Sequence, residues 1–180
     1  ELSNKKILIV GFGRIGRKLI KRCLGFEMKV YAYDPFVDKK IIESFGGIKV
    51  DDLNKSLQEI DILSLSVPLT EKTHNMINLE KMKIMKKSAV IINISRGGVV
   101  NERDLNEALN NKIIYGAGLD VFEKEPPTNV NPLLTNENVL LSPHAATFTE
   151  ECLSKMSIET VQNIINFFEN KLDKSMIVKL

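Results

Sequence analysis

The amino-acid sequence predicts an α/β fold, a doubly wound parallel sheet with helices on both faces. Two patterns carry that reading. Seven short apolar runs alternate with segments of helical spacing along the chain, and such alternation builds parallel sheets covered on both sides. The residues with the richest chemistry then follow the ends of those runs, where an open parallel sheet collects its ligands.

The first run, residues 7–10, leads into Val10-Gly11-Phe12-Gly13-Arg14-Ile15-Gly16. Beyond it Ile15, Leu19, Ile20, Cys23 and Leu24 recur at helical spacing, and Gly25 closes the helix. A second strand covers residues 28–33 and stops at Asp34-Pro35. A short helix over 39–45 ends at Gly46-Gly47, and a weak strand over 48–50 precedes a helix over 52–59. The strand over 61–67 is stopped by Pro68; a loop with Thr70, Thr73 and His74 leads to a helix over 79–85. Residues 89–94 form a buried strand that opens onto Ser95-Arg96-Gly97-Gly98. Asn101 and Asp104 start a helix through Asn110, with Leu105, Ala108 and Leu109 facing inward. Residues 113–119 are the next strand, after which Asp120 opens a loop containing Glu123-Lys124-Glu125-Pro126-Pro127. The last strand, 139–142, is followed by Pro143-His144, and a long helix over 149–170 carries Leu153, Met156, Val161, Ile164, Ile165 and Phe168 along one side.

The three glycines of the first turn have separate jobs. Gly11 permits the turn, Gly13 lets backbone approach a pyrophosphate, and Gly16 lets helix and strand pack closely. Free N–H groups and the dipole at the helix start, where Arg14 and Ile15 lie, favour phosphate charge. Asp34 falls eighteen residues after Gly16, at the end of the second strand. An acid there accepts hydrogen bonds from a ribose hydroxyl and repels a 2′-phosphate, which predicts NAD rather than NADP in a Rossmann-type domain.

Bulk properties are those of an ordinary globular chain: 180 residues, 43% hydrophobic and 27% charged, with a formal charge of +2. That balance carries no footprint for nucleic acid or a membrane surface, and the lysine pairs 5–6, 39–40 and 86–87 read as scattered solvated positions. Two cysteines, Cys23 and Cys152, lack metal spacing and read as reduced thiols of a cytoplasmic protein. No apolar run reaches membrane-spanning length, and no metal site is expected.

The ordered blocks then carry a resemblance. Val10-Gly11-Phe12-Gly13-Arg14-Ile15-Gly16 with Tyr33-Asp34-Pro35, Val67-Pro68-Leu69-Thr70, and Asn93-Ile94-Ser95-Arg96-Gly97-Gly98 come first. Gly118-Leu119-Asp120-Val121-Phe122-Glu123-Lys124-Glu125-Pro126 and Ser142-Pro143-His144-Ala145-Ala146-Thr147 follow. Together they resemble the cofactor domain of the D-isomer-specific 2-hydroxyacid dehydrogenases, and the Asp-Pro and Phe-Glu-Lys-Glu-Pro segments look most like phosphoglycerate dehydrogenases. His144-Ala145-Ala146-Thr147 departs from the usual His-Leu-Gly-Ala-Ser form of that subgroup.

The resemblance implies roles. Arg96 would pair with a substrate carboxylate and polarise the reacting carbonyl, a task for a permanently charged fork of donors. His144 would donate the proton as hydride arrives, and Glu125 would hold the imidazole and favour its charged form. Asp120 would orient the nicotinamide carboxamide, while Val67, Pro68, Thr73 and Ser95 would line the cofactor. The expected substrate is a 2-oxoacid such as 3-phosphohydroxypyruvate, with glyoxylate, hydroxypyruvate or D-lactate chemistry as alternatives within the family. Residues 1–172 would be the NAD-binding domain, and 173–180 a tail returning toward a substrate domain mostly absent from this chain. A homodimer is implied. Two rivals share parts of the pattern: an NAD-sensing corepressor, and an S-adenosylmethionine methyltransferase, which would not need Arg96, Glu125 and His144 in that order.

Overall fold

The computed structural model describes residues 1–173 and 177. Its strands are β1 (Lys6–Val10), β2 (Lys29–Tyr33), β3 (Ile48–Lys49), β4 (Ile62–Leu65), β5 (Val90–Asn93), β6 (Gly116–Leu119) and β7 (Val139–Leu141). The helices are α1 (Arg14–Gly25), α2 (Lys39–Ser44), α3 (Leu53–Leu57), α4 (Leu79–Lys83), α5 (Glu102–Asn110) and α6 (Glu150–Phe168). The strands form one sheet in the order β3-β2-β1-β4-β5-β6-β7, and every neighbouring pair is parallel. The chain starts in the middle, winds outward to β3, and returns to lay β4 on the other side of β1. The reversal of order therefore falls between β1 and β4, the place where open parallel sheets bind their ligands.

Alternation along the strands explains the two layers. Ile7 and Ile9 point to one face with Val30 and Ala32, and there bury Ile20 and Cys23 of α1 and Ile42 of α2. Leu8, Val10, Leu63, Leu65 and Ile91 point to the other, against Leu57 of α3, Met82 of α4 and Leu105 and Leu109 of α5. A strand buried on both sides favours apolar side chains on both faces, which is why these runs read as mostly apolar, with Ser64 and Asn93 as buried polar exceptions. Truncating one such side chain, Leu63→Ala, is expected to cost about 2–5 kcal/mol.

Several sequence-based boundaries shift. β6 begins at Gly116, not at Ile113, because Lys112 takes a left-handed φ of +53° and turns the chain. Ile114 still reaches the core, as a turn residue. β4 ends at Leu65, two residues short of the expected 67, and a short 3-10 turn at Pro132–Thr135 was not foreseen. Two of the paired lysines are not simply solvated: Lys6 meets Glu59 at 2.9 Å and Lys86 meets Asp61 at 2.8 Å. Cys23 and Cys152 are both free, and burial pushes the Cys23 thiol up, away from reactivity.

The chain divides into two compact units, Glu1–His144 and Ala145–Leu180. In the second, α6 begins on a Thr149 cap whose hydroxyl accepts from Cys152 N, and none of its residues is buried. The proposed tail, 173–180, lies outside the described residues except for Asp173 and Ile177. No described helix is long and apolar enough to cross a membrane.

Candidate active site

Every residue of the candidate site lies within the first unit, beyond the carboxyl ends of the strands. After β1, Gly11 takes φ +94°, and a Cβ there would sit 2.4 Å from the Ser66 carbonyl oxygen. A Cβ on Gly16 would meet the Gly11 carbonyl oxygen at the same 2.4 Å. Both glycines are thus required by backbone contact within the protein. Gly13 differs: nothing lies within 4 Å of its missing Cβ, and no side chain caps the helix start. The fold leaves that space open and those N–H groups unspent, which fits the phosphates of a dinucleotide. Arg14 and Ile15 are exposed beside it.

Asp34 follows β2 and is already engaged. One carboxylate oxygen accepts from Phe12 N at 2.8 Å and the other from Phe36 N at 2.9 Å. The acid therefore braces the glycine turn, and each oxygen keeps a lone pair for a ribose hydroxyl. Val67 and Pro68 follow β4. Thr73 closes the same loop on itself, donating to the Pro68 carbonyl at 2.6 Å and accepting from Thr70 N at 2.8 Å.

The turn after β5 is built by a residue that sequence reasoning passed over. Asn93 is buried, its Oδ1 accepts from both Ser95 N (3.1 Å) and Ser95 Oγ (2.7 Å), and its Nδ2 donates to the Arg96 carbonyl at 3.0 Å. Arg96 is exposed, with one guanidinium nitrogen returning to the Ser95 carbonyl at 2.7 Å. An Asn two residues before a Ser at a strand end was the available clue, since Asn closes such local turns. Asp120, buried after β6, is tied by its backbone N–H to the Asn93 carbonyl at 3.0 Å.

Glu125 and His144 meet. Glu125 Oε2 lies 2.8 Å from His144 Nδ1, and Glu125 Oε1 accepts from Phe122 N at 3.0 Å. The hydrogen bond to His144 and that from Phe122 N–H hold the Glu125 carboxyl below its ordinary value against the opposing effect of burial, with the His144 and Arg96 charges adding lesser contributions. Backbone contact brings the Arg96 turn against the Glu125 loop: a Cβ on Gly97 would stand 1.7 Å from the Phe122 carbonyl oxygen. His144 itself sits at φ +54°, a left-handed conformation that histidine adopts more readily than most side chains. Beside the pair opens a cavity of about 410 Å³, walled by Pro126, Pro127, Leu134, Leu141 and Pro143. Among the described residues no group of His, Cys, Asp and Glu could hold a metal ion.

The chain is 40% identical over 177 residues to the D-3-phosphoglycerate dehydrogenase of Methanocaldococcus jannaschii, covering 98% of this chain and 34% of that protein. It is 42% identical over 177 residues to a glyoxylate reductase of Korarchaeum cryptofilum, covering 98% of this chain and 53% of the relative. The NAD-complexed D-isomer specific 2-hydroxyacid dehydrogenase of Lactobacillus delbrueckii ssp. bulgaricus superposes with a TM-score of 0.86 at 30% identity, over 99% of this chain and 57% of that one. The chain thus spans between a third and just over half the length of these relatives. The family model of the D-isomer specific 2-hydroxyacid dehydrogenase NAD-binding domain matches residues 1–146. This chain therefore belongs to the D-isomer specific 2-hydroxyacid dehydrogenase family, of which it carries the NAD-binding domain.

Proposed function

We propose that this chain is the cofactor half of a reductase that interconverts a 2-oxoacid and a D-2-hydroxyacid. The observation that carries the reading is the 2.8 Å contact between Glu125 and His144 at the sheet edge that also holds the dinucleotide cradle. Bound NADH would supply the hydride. The rest is done by side chains of this chain. A carboxylate can only accept, so Glu125 selects the form of His144 that carries its proton on Nδ1, and Nε2 is left to give or take the substrate's proton. Arg96 offers a planar cation to the substrate carboxylate and draws charge from the carbonyl that is being reduced. Asp120, buried beside the Asn93 turn, orients the nicotinamide through its carboxamide.

Among substrates, 3-phosphohydroxypyruvate stands first, on the likeness to the phosphoglycerate dehydrogenase, and glyoxylate second, on the equal likeness to the glyoxylate reductase. In this reading residues 1–172 form the cofactor domain, the substrate domain is supplied by further sequence, and the assembly is a homodimer in the cytoplasm. The deciding experiment follows NADH oxidation by the complete polypeptide against phosphohydroxypyruvate, glyoxylate, hydroxypyruvate and pyruvate. Turnover with at least one is expected. Tight NADH binding with no oxidation by any of them would replace the enzyme reading with an NAD-sensing binding protein.

A further inference from the structure

We propose that Glu102, the first residue of α5, is a positioning residue: clasped to Glu123, it fixes the loop that presents Glu125 to His144. The inference rests on the Glu125–His144 reading above. The clasp is reciprocal. Glu102 N donates to the Glu123 carboxylate at 2.9 Å, and Glu123 N donates to Glu102 Oε1 at 2.5 Å. The other Glu102 oxygen accepts from Asn131 Nδ2 at 2.7 Å, and Asn131 Oδ1 in turn accepts from Leu133 N at 3.0 Å. One carboxylate therefore grips both ends of the segment from 123 to 131, and Glu125 lies inside it.

From that grip the chain of contacts runs to the histidine. Phe122 is held from one side by Gly97, whose backbone leaves no room for a methyl group, and from the other by its clasped neighbour Glu123. Phe122 N then takes Glu125 Oε1, which leaves Oε2 aimed at His144 Nδ1. Fixing Phe122 fixes the carboxylate.

A device built only for stability would avoid this composition. Burial pushes the Glu102 carboxyl up, with the Glu123 and Glu125 charges acting the same way, against hydrogen bonds from Glu123 N–H and Asn131. Three acids are thus gathered where a neutral amide would accept the same N–H groups at less cost. At the helix start Asn101 caps Asp104 N at 2.9 Å, while Glu123 takes the separate Glu102 N–H. Groups that hold an active-site side chain within a fraction of an ångström are the usual reason for such an expense.

The test reads the tautomer of neutral His144 by ¹⁵N NMR on the 180-residue chain, where only His74 and His144 contribute. The Nδ1–H form should dominate in the parent, and Glu125→Ala should abolish that dominance. Glu102→Ala should shift the tautomer ratio at least about threefold toward Nε2–H, as one RT-scale contact is lost. Glu102→Gln, which keeps an acceptor for Glu123 N–H, should restore most of it. Asn131→Ala leaves all three charges in place, should give a smaller shift of the same sign, and carries the test alone if Glu102→Ala does not fold. No shift in Asn131→Ala and Glu102→Ala, or equal shifts in Glu102→Ala and Glu102→Gln, would overturn the proposal. No shift in Glu125→Ala would instead remove the Glu125–His144 pairing on which it rests.

Discussion

Gly97 and Gly13 are both glycines at strand-end turns, and the structure demands opposite behaviour when each becomes alanine. At Gly97 the new Cβ would stand 1.7 Å from the Phe122 carbonyl oxygen, whereas real Cβ atoms keep beyond 3.0 Å. The two backbones must part by at least about 1.3 Å, and neither partner has a rotamer to yield. Overpacking of that kind costs about 1–3 kcal/mol, which in a chain of this length lowers Tm by roughly 2–12 °C. The parting also displaces the Arg96 turn from the Glu125 loop by an amount that alone can cost about 100-fold in turnover. At Gly13 the methyl would enter open space at φ −76°, so stability should stay within about 0.5 kcal/mol. There the injury falls on the ligand, and NADH affinity should drop at least about tenfold, or 1.4 kcal/mol. Urea unfolding and NADH fluorescence titration of the two variants separate the effects. The reasoning fails if Gly97→Ala loses less than about 0.5 kcal/mol, or if Gly13→Ala is destabilised while NADH binding is unchanged.

Three further outcomes are expected. His144→Asn, a residue that tolerates the φ of +54°, should lower turnover of the complete protein by about 10²–10⁴-fold with NADH affinity retained; turnover near the parent's would end the acid–base assignment. Asp61 is held below its ordinary value although burial opposes this, because Lys6 N–H and the Lys86 ammonium donate to it, each at 2.8 Å. A depressed carboxyl stabilises above its unfolded value, about 3.9, and loses that contribution as pH falls through the folded value. The stability gap between parent and Asp61→Ala in urea should therefore hold at about 1.5–3 kcal/mol from pH 7 to 5 and close below about pH 4; a gap unchanged at pH 3 would contradict it. Asp34→Ala should free Phe12 N, lower stability by about 1–3 kcal/mol and weaken NADH binding together, so loss of only one of the two would separate the roles assigned to that carboxylate.

The fold was legible because its strands are buried on both faces, so that Leu8 and Ile9 are both apolar though they point to opposite layers. The glycine turn was legible for a stricter reason: two of its three glycines answer steric contacts fixed by the fold itself. Where the reading failed, an apolar residue served a turn. Ile113 and Ile114 extend the run of β6 in sequence, yet the left-handed Lys112 keeps them outside the strand, and hydropathy does not report φ. The proposed trio of Arg96, Glu125 and His144 was picked out through its ordered blocks. The supports behind it were not, because Asn93 and Glu102 act on backbone N–H and C=O groups, which every residue carries and no sequence pattern distinguishes. Glu102 and Glu123 stand 21 residues apart, and nothing in either residue's neighbourhood foretells that each would take the other's N–H. The Thr73 hydroxyl, expected toward the cofactor, is committed within its loop.

Asp34 has a consequence for redesign. The same carboxylate that braces the glycine turn is the one proposed to face the ribose, so the two traits would be inherited as one. Exchanging the acid for a residue that welcomes a 2′-phosphate would remove the brace on Phe12 in the same step. A variant of altered cofactor preference therefore needs a second substitution that supplies a new acceptor to the Phe12 N–H, and selection for preference alone should recover such pairs rather than single changes.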